Sequence, residues 1–363
     1  MRRSEAKAQT GWSDRRNVWA ELTTPAFGHP SSARRGSSLG KSVLAAYYRG
    51  AMHPEHVAIV GAGAVGCYFG GMLARAGIPV TLIGRAHHIE AIQRDGLYLE
   101  RKDFQEFVRL GAETEISTVG GATIVLLSVK TVDTETAAAA IAPHLREGAL
   151  LVSFQNGVDN VERIRRATGI FAIPAVVYVA VAMSGPGRVK HDGRGDLVVG
   201  ELPPVIPRRE DLGRIARLFD AAHVSCRISN DIAAELWTKL VMNCAYNAIS
   251  AAAQSRYGAI KNNPLSRGVV EELIREVVLV GRASGVSLPS VEQLVEATLK
   301  LGDAMANATS SMAQDLARGN PTEIDSLNGY VVQRGKELGI ATPVNRTLHA
   351  LVKLVEDCSG GGR

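Results

Sequence analysis

The 363-residue chain is predicted to be an α/β protein in two parts, an N-terminal Rossmann-type doubly wound sheet followed by an all-helical C-terminal domain. Three observations predict it. Strand-like apolar runs alternate with helical stretches from His56 onward, the glycine turn Gly61-Ala62-Gly63-Ala64-Val65-Gly66 separates the first such strand from the first helix, and strand-like runs stop near Ser229. Alternation of this kind implies parallel pairing through right-handed crossovers.

In order along the chain, strands are expected at His56–Val60, Val80–Ile83, Thr123–Ser128, Ala149–Phe154 and Ala175–Met183, with helices at Thr134–Leu145 and Asn160–Ala167 between them. The turn signals Gly185-Pro186-Gly187 and Gly193-Arg194-Gly195-Asp196 bracket two short strands, Arg188–His191 and Leu197–Val199, read as an antiparallel addition at the sheet edge. Helical periodicity then covers roughly 231–253, 265–283, 289–306, 321–338 and 343–356, and Pro321 and Pro343 each follow a capping residue as first-turn prolines do. The expected organisation is a disordered basic extension over 1–54, a dinucleotide-binding domain over 55–229, a helical substrate domain over 230–357 and a disordered tail over 358–363.

Composition bounds the function. With 46% apolar and 21% charged residues the chain can build at least one full core. Its net charge of +5 is misleading, because residues 1–51 carry nine Lys or Arg against three acids and the remainder sums to −1. A near-neutral body removes the main compositional support for nucleic-acid binding. Four scattered cysteines show neither metal-ligand spacing nor a disulfide framework, so no metal is expected and a reducing, cytoplasmic setting fits. The longest apolar stretch, Ile173–Met183, falls short of the roughly 18 residues a membrane helix needs.

The glycine turn follows a strand and opens a helix, the context in which GxGxxG binds a dinucleotide: Gly61 turns tightly, Gly63 admits a pyrophosphate and Gly66 lets helix pack on strand. Ala62, Ala64 and Val65 complete the turn. Where an NAD enzyme would present a carboxylate at the end of the second strand, this chain has Gly84-Arg85 and no acid before Glu90, which suits a 2′-phosphate and therefore NADPH. Arg85 also reads as an ordinary loop arginine. Lys130 and Asn156 fall just past the carboxyl ends of predicted strands, where ligands of open α/β sheets bind, although Asn156-Gly157 is equally a favoured turn pair.

The segment from Leu236 to Ile249 is apolar nearly all round except for Lys239, Asn243 and Asn247, spaced i, i+4 and i+8 on one stripe. A buried lysine and two buried amides need partners, and a polar substrate in an interdomain cleft would supply them. Hydride addition to a ketone leaves an alkoxide that takes up a proton, and a lysine with a burial-lowered pKa can donate it near neutral pH. Glu323, in Thr322-Glu323-Ile324-Asp325, also sits at a capping-box position behind Asn320 and Pro321. Ser311, in Ser310-Ser311-Met312, says little alone.

Taken together, GAGAVG, SVKT, QNG, LWTKLVMNCAYN, SSM and PTEID, in this order from about His56 to Val355, make the chain resemble the ketopantoate reductase (2-dehydropantoate 2-reductase) family of pantothenate and coenzyme A synthesis. The resemblance implies NADPH as cofactor, a small 2-keto acid as substrate and a homodimer. It implies Lys239 as general acid with Glu323 as its partner, Asn243, Asn247, Ser311 and Asn156 as substrate contacts, and Lys130, Asn156 and Arg85 on the cofactor side. The basic extension is a departure from the family pattern. Alternative readings are a related reductase of another 2-keto or 3-hydroxy acid, or a non-catalytic NADPH-binding regulator.

Overall fold

The computed structural model describes residues 55–203 and 208–360; the basic extension and residues 361–363 lie outside the described residues. The chain runs β1 (Val57–Val60), α1 (Ala64–Arg75), β2 (Val80–Ile83), α2 (Ala86–Asp95), β3 (Leu97–Glu100), β4 (Gln105–Val108), β5 (Gly111–Glu113), β6 (Ile124–Leu127), α3 (Thr134–Ile141), β7 (Leu150–Ser153), α4 (Asn160–Thr168), β8 (Ile173–Gly185), β9 (Arg188–Gly200), α5 (Arg209–Ala221) and β10 (Cys226–Ser229). Helices follow without further strands: α6 (Ile232–Ala253), α7 (Tyr257–Asn262), α8 (Pro264–Ala283), α9 (Val291–Ala304), α10 (Ser311–Ala317), α11 (Asn328–Leu338) and α12 (Pro343–Gly360).

The strands join in the order β4-β3-β9-β8-β7-β6-β1-β2-β5, with β10 added on β9. From β8 through β5 all pairings are parallel, as buried apolar strands joined by crossovers require. β1, β6 and β7 are buried at every position because helices cover both faces. Since β1 connects toward β2 on one side and β6 lies on the other, the carboxyl ends of β1 and β6 flank the crevice where such sheets bind ligands.

Several local features differ from the sequence reading. The expected pair of short strands is one 13-residue strand, β9, antiparallel to an equally long β8 (Ile173–Gly185), and the Gly193–Asp196 signal becomes bulges inside the ladder. The helix Thr134–Leu145 changes at Ile141 into a 3-10 turn at Ala142–His144, where Pro143 removes a backbone donor. No helix starts at Pro321. Residues Ile324–Ser326 form a 3-10 turn and α11 starts at Asn328, because Glu323 is bonded across the molecule rather than to its own helix. The tail expected from residue 358 remains helical to Gly360. The strands β3 to β5 and the helix α5 carried no legible signal, the strands being short, charged and half exposed.

α6 is the axis of the helical half, with Leu240, Val241, Cys244, Ala245 and Ala248 at 1% exposure or less. Its start is capped by Asp231, which accepts from the Ala234 N–H at 3.1 Å. Its N-terminal half packs on β8, so Lys239 faces the sheet. Among the described residues no helix is long and apolar enough to cross a membrane.

Candidate active site

The glycine turn is built as its sequence requires. Gly61 has φ +114°, and a side chain there would collide with the backbone of Ser128 and Val129 at 2.7–2.8 Å. At Gly66 a Cβ would meet the Ser128 hydroxyl at 2.6 Å, which is why α1 can lie against β1 and β6. Gly63 is different: a Cβ there would have no neighbour within 4 Å, and this residue precedes α1, whose start has no side-chain cap and no acid in its first turn. Free N–H groups, the positive end of the helix and an uncrowded backbone fit a dinucleotide pyrophosphate. Arg85 is exposed at the start of α2 with no acidic partner among the described residues, and the first turn of α2 also lacks acids. The structure adds a group that the sequence reading did not consider. Glu113 of β5 pairs beside Ile83, bringing a carboxylate residue to the flank of the β2 end.

Side chains from chain segments far apart in sequence converge on one polar network. Lys239 Nζ donates to Asn156 Oδ1 at 2.8 Å and to the Val177 carbonyl at 2.7 Å. Asn156 Nδ2 donates to Glu323 Oε2 at 2.9 Å. An ammonium cannot accept and a carboxylate cannot donate, so the two partners dictate which way the Asn156 amide points. Glu323 Oε1 accepts from the Thr131 N–H at 3.1 Å and its hydroxyl at 2.9 Å. Lys130 reaches across from the sheet half to Asp315 of α10 at 2.5 Å. Asn156 is itself held by Asn160, whose amide donates to the Asn156 carbonyl at 2.6 Å.

Electrostatics divide the labour between the two charged ends. Burial lowers the Lys239 pKa to about 8; Glu323 and Asp196 counter it, while Arg194 pushes it further down. Burial would raise Glu323, but the Lys130 charge and the hydrogen bonds from Asn156 and Thr131 overcome it and hold this carboxyl below the usual range. Glu323 is therefore an anion near neutral pH, beside a lysine poised to gain or lose a proton. An ammonium has three protons, and two of those on Lys239 have protein acceptors; the third has none among the described residues. Lys239 is half-buried as a residue.

The other residues singled out from sequence fall at graded distances from this network. Asn243, one turn beyond Lys239, is partly exposed. Asn247 is 5% exposed, and its side-chain oxygen accepts from the Tyr257 hydroxyl at 3.4 Å. Ser311 is exposed in the first turn of α10, whereas its neighbour Ser310 is buried and caps that helix through Ala313 N–H at 3.0 Å. Glu323 makes no capping box. Thr131 and Asp315 were missed. Thr131 stands directly after Lys130, and Asp315 lies four residues after Ser311 on the same helix face, a spacing that could have flagged it. No group of His, Cys, Asp and Glu among the described residues could hold a metal ion.

Both halves of the chain are similar to known proteins. The family described as ketopantoate reductase PanE/ApbA matches residues 57–204, and its C-terminal counterpart matches 231–356. A 2-dehydropantoate 2-reductase of Pyrococcus horikoshii is 33% identical over 309 residues, covering 84% of this chain and 99% of that protein. A Halobacterium salinarum protein of the same name is 32% identical, covering 83% and 98%. The crystal structure of a PanE/ApbA family ketopantoate reductase from Ralstonia eutropha superposes with a TM-score of 0.78 at 46% identity, over 84% of this chain and 99% of that one. With both halves matched in order and nearly the whole length of these relatives spanned, the chain belongs to the ketopantoate reductase family.

Proposed function

We propose that this chain reduces a small 2-keto acid, 2-dehydropantoate, to its 2-hydroxy acid with NADPH, as a cytoplasmic enzyme. The observation that carries the reading is Lys239, an ammonium whose pKa is lowered to about 8, fixed by two acceptors, with a third proton that no acceptor among the described residues takes. Held at the Gly61–Gly66 turn, NADPH would supply the hydride for the new C–H bond at the keto carbon. As that carbonyl's π bond opens, its oxygen takes the proton from Lys239 Nζ, leaving a hydroxyl and a neutral amine that solvent reprotonates.

Each remaining group has a part in this reading. Asn156 keeps Lys239 aimed, and Glu323 orients Asn156 and accepts from the nascent hydroxyl. Asn243, Asn247 and Ser311 receive the substrate's oxygens, Ser311 the carboxylate; Asn243 and Ser311 have open surface, and the Asn247 side-chain oxygen also accepts from Tyr257. The turn Gly61–Gly66 takes the pyrophosphate, Arg85 the 2′-phosphate, and Lys130 the cofactor side of the cleft. The test is absorbance-monitored cofactor oxidation with 2-dehydropantoate, pyruvate and 2-ketoisovalerate, each with NADPH and with NADH. The highest kcat/KM is expected for 2-dehydropantoate with NADPH; turnover of none of the three would refute the reading.

A further inference from the structure

We propose that the Arg194-Gly195-Asp196 bulge of β9 is a positioning element for Lys239: it seats the Tyr178 ring and the Val177 carbonyl against the ammonium and sets an opposed pair of charges beside it. The inference rests on the reading of Lys239 as proton donor.

The ladder between β8 and β9 pairs Tyr178 with Asp196 and then Val179 with Arg194, leaving Gly195 as the extra residue. A bulge of this kind turns the strand and re-aims its side chains. The backbone commits to it: Arg194 takes φ 55° and Gly195 φ 142°, and a Cβ on Gly195 would stand 2.5 Å from the Tyr68 hydroxyl. Both values lie in the left-handed region that side chains avoid. The bulge is braced from behind, since the His191 ring bonds the Arg194 carbonyl and stacks on Tyr68 at 4.6 Å, and the Tyr68 hydroxyl accepts from Arg101 at 2.7 Å.

The outcome is a fork folded back on its own hairpin. Arg194 donates to Asp196 twice, at 2.9 and 2.5 Å, and its guanidinium lies 4.2 Å from the centre of the Tyr178 ring. Lys239 Nζ lies 5.9 Å from that same centre and is bonded to the carbonyl of the residue before it. The Tyr178 hydroxyl is buried with no hydrogen-bond partner among the described residues, so its neighbours use the ring face. The charged groups acting on Lys239 come from two other segments: Glu323 from the turn before α11, backed by Lys130, and Arg194 with Asp196 from β9. On its own helix Glu235 is paired with Arg227 at 2.8 Å, and Tyr178 of β8 and Asn156 are neutral. Arg194 disfavours the protonated lysine and Asp196 favours it, so the two charges of the fork oppose each other at Lys239 while the guanidinium lies on the ring.

The experiment is kcat against pH, with NADPH and 2-dehydropantoate, for the wild type, Lys239→Ala, Arg194→Met, Asp196→Asn, the Arg194→Met/Asp196→Asn double variant and Arg194→Lys. Wild-type kcat should fall as pH rises through about 8, where the donor loses its proton, and Lys239→Ala should lack this limb. Losing the Arg194 cation should move the limb to higher pH and losing the Asp196 anion to lower pH. At pH 9 the two single variants should differ by about two- to tenfold in the fraction of wild-type rate retained, and Arg194→Lys should keep the wild-type limb; the double variant should bring the limb back toward wild type but with a lower plateau kcat, since nothing then holds the Tyr178 ring. Limbs that stay in place or move in the same direction in both single variants would overturn the positioning role, as would failure of Arg194→Lys to keep the limb. A Lys239→Ala enzyme with wild-type rate and limb would instead refute the donor assignment.

Discussion

Two carboxylates in the helical half accept nearly the same set of hydrogen bonds and do different things. Glu276 of α8 is 7% exposed and takes the Val344 N–H at 2.8 Å, the Asn345 N–H at 2.9 Å and the Asn345 amide at 2.8 Å, so it caps the start of α12 from within its own core. Glu323 likewise takes one backbone N–H, one hydroxyl and one amide, but from Thr131 and Asn156, 192 and 167 residues away on the sheet half. Burying a hydrogen-bonded carboxylate is thus no sign of function by itself. What distinguishes Glu323 is that its network spans the two halves and ends on an ammonium with a proton to spare.

The sharpest way to break this contrast is Lys239→Ala. It should lower kcat about 10²–10⁴-fold, the usual worth of a positioned acid, with NADPH affinity by fluorescence titration nearly unchanged. A variant with normal turnover would put Glu323 back among the structural carboxylates. Next in size are the two carboxylates themselves. Glu323→Gln places an amide against Asn156 and obliges one of the two side chains to turn; if Asn156 turns, Lys239 loses its acceptor. We expect kcat down by about 10–100-fold with little change in unfolding midpoint. Glu276→Ala should do the reverse, costing about 2–4 kcal/mol in urea denaturation by stranding buried donors, while the folded fraction keeps its kcat. Equal effects of both changes on activity and stability would erase the distinction.

The smallest expected effect lies at the end of β2. Arg85→Ala should weaken NADPH about tenfold and leave NADH nearly unaffected, read as Kd for each cofactor. Equal weakening of both would remove the 2′-phosphate assignment and turn attention to Glu113, which stands beside the end of β2.

Local sequence carried the parts of the molecule that local physics controls. The GAGAVG turn between an apolar strand and a helix, the period of α6 and the change from strands to helices near Ser229 are all legible because glycine conformations, hydrophobic period and capping act over a few residues. The placement of Lys239, Asn243 and Asn247 on one stripe follows from helical spacing in the same way. Periodicity could not report that Asn247 would be engaged by Tyr257 while Asn243 kept open surface.

Tertiary structure decided the rest. Behind Asn320 and Pro321, Glu323 has the local marks of a capping residue; folding brings Thr131 and Asn156 to it, and three long-range donors outcompete the helix start it would otherwise have made. Gly193–Asp196 reads as a turn between two strands, yet pairing along the whole of β8 absorbs it as bulges. The spacing of Asp315 from Ser311 hints at a shared face, but nothing local names Lys130 as its partner or Glu323 as that of Thr131, because a site between halves is made of contacts whose partners are far apart in sequence. Sequence alone determined the opening strand-turn-helix, the change to helices and the lysine on its greasy helix. Which acids and amides meet that lysine is a property of how two cores dock, and no window of neighbouring residues encodes it.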